Sequence, residues 1–127
     1  MDEKFIAYKG EKFLIEWFFD DKGQSIAFDY FEELPNSQKE KLVYLFQMLA
    51  DTGVIRSEEK FNYEHDQIYA FKPMPDRFLC FFYQGAKIIV TNAFHKKTQK
   101  MPPREKQKAL KSKSDYIKRC KGGTYYD

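Results

Sequence analysis

The chain has 127 residues, 22 Lys+Arg against 19 Asp+Glu, 13 Phe and 9 Tyr, which is enough length and aromatic bulk for one core without disulfide staples. A hydrophobic fraction of 43% beside 32% charge excludes a disordered polymer. No stretch approaches the roughly 18 apolar residues of a membrane span, and no charged start leads into an apolar run and a cleavage site, so a cytoplasmic protein without a membrane segment is expected.

Cys80 and Cys120 have no second pair and no histidine at zinc-like spacing, so neither a disulfide nor a metal site is expected. The net charge of +3 conceals an asymmetry. Met1 to Asp66 carries eight Lys+Arg against fifteen Asp+Glu, whereas Gln67 to Asp127 carries fourteen against four. A basic half of that strength points to a polyanion, with RNA the favoured class.

In chain order, Phe13 to Phe19 is β-branched and aromatic and predicts a strand, closed by the turn residues Asp20 to Gly23. Ser25 predicts the cap of a short helix with Ala27, Tyr30, Phe31 and Leu34 on one face, ended by Pro35. Ser37 and Glu40 have capping-box spacing for a second helix with Leu42, Leu45, Phe46 and Leu49 inward and Gly53 as its stop. These two helices predict an antiparallel hairpin.

Arg56 to Asp66 is polar and predicts a loop. Three strands follow: Gln67 to Lys72, Arg77 to Tyr83 and Lys87 to Phe94, with Gln84-Gly85-Ala86 as the turn between the last two. Alternation places Arg77, Leu79, Phe81 and Tyr83 on one face and Phe78, Cys80 and Phe82 on the other. Met101-Pro102-Pro103 opens a basic helix whose thin apolar stripe, Leu110, Ser114 and Ile117, predicts a mostly solvated element. The expected fold is α+β in the order β-α-α-β-β-β-α: one domain over residues 1–121, a small antiparallel sheet with an N-terminal helical hairpin and a C-terminal basic helix. Residues 122–127, with Tyr125 and Tyr126, are expected to fray.

The strings Ile68-Tyr69-Ala70-Phe71-Lys72, Asp76 to Phe82 and Thr91-Asn92-Ala93-Phe94-His95-Lys96-Lys97-Thr98-Gln99-Lys100-Met101-Pro102-Pro103-Arg104-Glu105 resemble the HigB-like, phage-related branch of the RelE/ParE toxins of type II toxin–antitoxin systems. The match is strongest from Ile68 to Arg119, and Ala109 fits the alanine of the family's basic helix. The resemblance implies an antiparallel sheet with helices on one face. It implies a cognate antitoxin as partner, here expected to be a small helix-turn-helix protein. It also implies mRNA cleavage, usually on the ribosome, with no cofactor or metal. Where many relatives carry Glu-Leu-Arg, this chain has Ala70-Phe71-Lys72, which keeps the charge but not a bidentate fork.

Metal-free RNA cleavage needs a base for the 2′-hydroxyl proton, cations on the phosphorane and an acid for the leaving 5′-oxygen. The expected catalytic residues are Arg77, which matches the family arginine, Lys72 on the neighbouring strand, and His95, whose ordinary pKa suits proton transfer. His65 is a weaker candidate in a polar loop. Lys96, Lys97, Lys100 and Arg104 form the expected RNA-binding edge, with Tyr83 and Tyr116 as stacking candidates. Two other readings stand beside mRNA cleavage: a ParE-like inhibitor of DNA gyrase, and a non-catalytic prophage protein that binds nucleic acid or a partner.

Overall fold

The structure is a computed structural model that describes residues 2–127. Its sheet contains β1 (Ile6–Lys9), β2 (Leu14–Trp17), β3 (Phe61–Tyr63), β4 (Tyr69–Phe71), β5 (Asp76–Tyr83) and β6 (Lys87–His95), in the spatial order β1-β2-β6-β5-β4-β3. All neighbours are antiparallel except β2 and β6, which run parallel. Helices α1 (Ile26–Glu33) and α2 (Asn36–Thr52) lie between β2 and β3 in sequence, and α3 (Pro103–Lys121) follows β6. This is a small α+β fold of the RelE-like kind. Two strands are added to the expected order. β1 and β3 occupy the sheet edges, and β3 lies inside the segment expected to be loop. With three or four residues each, they are too short to show a period-2 pattern.

Ser25 caps α1 as expected, its Oγ accepting the Phe28 amide at 3.1 Å. The capping box at Ser37 does not form. The Pro35 carbonyl already accepts the amides of Gln38 and Lys39, both at 3.0 Å, so α2 begins at Asn36 and Ser37 falls inside its first turn. Gly53 closes α2 in the left-handed region, at φ 89°, and its amide reaches the Leu49 carbonyl at 2.9 Å.

Helices cover both faces of the sheet, not one as the resemblance implied. Phe78 and Cys80 of β5 join Trp17, Leu42, Phe46 and Leu49 in a core under α1 and α2. Leu79 and Phe81 point the other way, into a core with Ala109 and Tyr116 of α3. The expected alternation of β5 therefore holds. The stripe expected on α3 is corrected: Ala109 and Tyr116 are the buried positions, Leu110 and Ile117 flank them, and Ser114 is exposed. Cys80 and Cys120 are both free and belong to opposite faces.

The residues expected to fray are packed. Tyr125 is buried against Phe5, Phe18 and Tyr116, with the Arg119 guanidinium 4.7 Å from its ring centroid, and its hydroxyl accepts the Phe19 amide at 2.9 Å. Tyr126 donates at 2.7 Å to Glu16, a β2 carboxylate with 0% exposure. Lys87 completes that site, 3.2 Å from the other Glu16 oxygen. A buried carboxylate requires such partners. Burial raises the Tyr125 and Tyr126 hydroxyls above the usual phenol range; for Tyr126, hydrogen bonds to Tyr116 and Glu16 add to it.

Gly10, between β1 and β2, meets the end of α2 so closely that a Cβ there would lie 2.5 Å from Ala50 Cβ and 2.6 Å from its carbonyl. Two measurements by urea unfolding check this packing. Gly10→Ala is expected to lower stability by about 1–3 kcal/mol through overpacking. Tyr126→Phe, which strips Glu16 of a donor, is expected to cost about 1–3 kcal/mol; an unchanged midpoint would mean that the tail is not docked.

Candidate functional site

The end of the sheet where β5 starts and β6 finishes carries most of the expected site residues. Backbone alternation puts Lys72, Arg77 and Phe94 on the α3 face, because Arg77 pairs with Phe94 and Lys72 follows Phe71 with the parity of Ala70. They meet in a cleft of about 220 Å³ under the start of α3, closed by Lys96, Gln99, Met101 and Pro102. Asn62 of β3 and Glu64 just beyond it supply the remaining wall. A second cleft, of about 320 Å³, adjoins it and is lined by Met74, Pro75, Arg77 and Lys96 to Gln99.

Arg77 is buried, at 5% exposure, and its own approach loop holds it. Its Nη1 donates to the Asp76 carbonyl at 3.0 Å and contacts Met74 Sδ at 3.1 Å. Its Nε has no hydrogen-bond partner among the described residues. The guanidinium lines both clefts, and a planar fork of that kind is suited to an anionic oxygen. Burial pulls the Arg77 pKa below its usual value, while Glu64 and Asp76 act to raise it. Lys72 is likewise lowered, first by burial, with Arg77 and Lys96 adding repulsion and Glu64 and Glu58 opposing it. Its Nζ donates to the Glu58 carbonyl at 3.0 Å.

Glu64 was not legible in the sequence, where it sits in the stretch expected to be loop. It is the one carboxylate of the cleft, and the Asn62 amide donates to its Oε2 at 3.2 Å. The turn after it holds His65, Asp66 and Gln67 all at positive φ, at 72°, 55° and 65°. Non-glycine residues in that region store backbone strain. Asp66 ties the turn to α3 through Lys106 at 2.8 Å, and that hydrogen bond with its charge holds the Asp66 carboxyl below its usual pKa. The only sequence hint of this arrangement is the pair Phe61 and Tyr63, too short a run to predict a strand.

The other candidates divide. Lys96 and Lys97 line the clefts, while Lys100 and Arg104 are exposed nearby and line neither. His95 lies on the opposite face from Arg77, paired in register with Asp76, and its Nδ1 is 3.8 Å from Asp76 Oδ1. His65 is exposed at the strained turn and does not line the cleft. Tyr83 stands at the far end of β5, about 20 Å from Arg77 at strand rise, and packs on Tyr116. Tyr116 itself has 0% exposure, so it has no face left for a base.

Behind the cleft, Asp76 is buried and accepts from Tyr30 of α1 at 2.5 Å and from Gln38 of α2 at 2.9 Å. Gln38 also donates to the carbonyls of Pro73 and Met74, at 2.8 and 3.1 Å, and Lys96 donates its amide to the Pro75 carbonyl at 3.1 Å. The loop that holds Arg77 is thus fastened to α1, α2 and β6. Burial and the Asp76 hydrogen bond raise the Tyr30 hydroxyl above the usual phenol range.

A RelE-like sheet with a basic cleft at one end defines the class of this protein. Residues 29–114 match the family described as Phage derived protein Gp49-like (DUF891), a family of RelE- and toxin-like proteins, and the chain belongs to it. A search of the curated proteins found no match. Among the described residues, no helix is long and apolar enough to cross a membrane.

Asp76→Asn tests the fastening of the loop. An amide there turns a donor toward either Tyr30 or Gln38, and is expected to cost about 1–3 kcal/mol in urea unfolding. Unchanged stability would show that the loop does not depend on this carboxylate.

Proposed function

We propose that this chain is the toxin of a type II toxin–antitoxin system, HigB-like in kind. On this reading it is a cytoplasmic endoribonuclease that cleaves mRNA on the ribosome and is held inactive by a cognate antitoxin, a small helix-turn-helix protein. The observation that carries this reading is the convergence of Arg77, Lys72 and Lys96 around a single carboxylate, Glu64, in one small cleft.

The chemistry needs no resident metal. Three cations, Arg77, Lys72 and Lys96, line the position proposed for a phosphate. Glu64 takes the proton of the 2′-hydroxyl, the 2′-oxygen attacks phosphorus, and the P–O5′ bond breaks. Lys72, its pKa lowered by burial and by its cationic neighbours, gives its proton to the leaving 5′-oxygen. The products are a 2′,3′-cyclic phosphate and a 5′-hydroxyl. Lys97, Lys100 and Arg104 contribute binding to flanking phosphates. His95 is assigned no step, because it lies on the other face of the sheet.

Induced expression is expected to arrest growth and to create new mRNA 5′ ends by primer extension. Arg77→Ala should abolish the ends, and Glu64→Gln should slow cleavage by about 10²–10⁴-fold while RNA binding persists. Arrest without mRNA ends would redirect the reading to another target such as gyrase. No arrest would favour a binding protein without catalysis.

The pH dependence follows from Lys72, which acts in its protonated form. Since its pKa is lowered from 10.5, the alkaline limb of the cleavage rate is expected below that value. Lys72→Arg should remove the limb from the pH–rate profile, and a limb that stays in place would assign the acid elsewhere.

A further inference from the structure

The clefts around Arg77 do not end at Lys72. A third one, of about 340 Å³, shares Lys72 with the first and Met74 with the second, and opens toward α2. Its far wall is Tyr44, and it also carries Lys41 and Lys60. Tyr44 and Met74 are each 55% exposed, unusual for large apolar side chains in a fold that buries most of its aromatic rings. Tyr44 falls on the outer face of α2, between the inward positions Leu42 and Leu45, so core packing does not explain it.

We infer that Tyr44 is a stacking platform for a nucleobase of single-stranded RNA, one that flanks the phosphate held by Arg77 and Lys72. An aromatic face ringed by lysines is the combination that single-strand binding uses: cations follow the backbone while the ring accepts any base. Three lysines and one carboxylate, Glu59, line this groove, so its charge suits a polyanion. Its continuity with the Arg77 cleft through Lys72 makes it one path. The site thereby extends onto α2, in the acidic half of the chain. The inference rests on the RNA reading proposed above.

The test is the affinity of the full chain for a fluorescein-labelled oligouridylate at low salt, across Tyr44→Ala, Tyr44→Phe and Arg77→Ala, with salt dependence measured for each. Stacking is worth about 1–3 kcal/mol per base, so Tyr44→Ala is expected to weaken binding about 5- to 150-fold with its salt slope unchanged. Tyr44→Phe, which keeps the ring, should bind like the parent. Thermal melting of each variant separates lost stacking from lost folding, and because Tyr44 is exposed neither substitution should lower the midpoint. Parental affinity in Tyr44→Ala would overturn the inference and hand the groove to an apolar protein segment, leaving the ribonuclease reading intact. No binding by the parent chain would also overturn the inference, while the ribonuclease reading is decided separately by the appearance of new mRNA ends on induction.

Discussion

The β5–β6 ladder is buried on both sides, by α1 and α2 on one face and α3 on the other. In such a ladder a slip of one residue would send every side chain to the wrong core, so its register is tightly set. The two adjacent residues that open β5 inherit opposite directions from that register. Asp76 points to the two helices of the hairpin and is spent on fastening. Arg77 points to the face of α3 and is spent on the cleft. The orientation of Arg77 is thus a consequence of sheet packing, and of the Asp76 carbonyl and Met74 sulfur that hold its guanidinium.

The placement of α3 depends on a single irregularity in the same ladder. Leu79 pairs with Asn92 but Cys80 with Val90, so Thr91 is an extra residue on β6. The bulge resets the phase of the strand, and Asn92 turns toward α3, donating to the Glu105 carbonyl at 3.0 Å and to its side chain at 3.1 Å. The first turn of the basic helix is thereby anchored over the cleft, with Met101 and Pro102 as part of its roof. At the other end of the helix, the docked Tyr125 and Tyr126 fix its exit through Phe19 and Glu16.

Charge is distributed differently in space than along the chain. The basic half supplies Lys72, Arg77 and Lys96, but the carboxylate among them comes from the acidic half. The cleft therefore pairs its cations with one carboxylate brought in from the opposite half of the sequence. The turn that follows Glu64 runs through three residues at positive φ and is tied to α3 by Asp66 and Lys106.

By itself the sequence determined the fold class, most of the strands and helices, the two-faced alternation of β5, and the basic character of the surface. These are written in local pattern: periodicity of 2 or 3.6, caps, turn residues and net charge. The edge strands β1 and β3, the packed tail, the true start of α2 and the inward face of α3 were decided by partners distant in the chain. Phe61 reads as strand only because Phe71 pairs with it, and Tyr125 is buried only because Phe5, Phe18 and Tyr116 surround it. The same reason separates Lys72 and Arg77, whose neighbourhood followed from strand order, from Glu64 and His95. Glu64 enters the cleft and His95 leaves it through sheet parity and pairing across strands, which no local pattern carries.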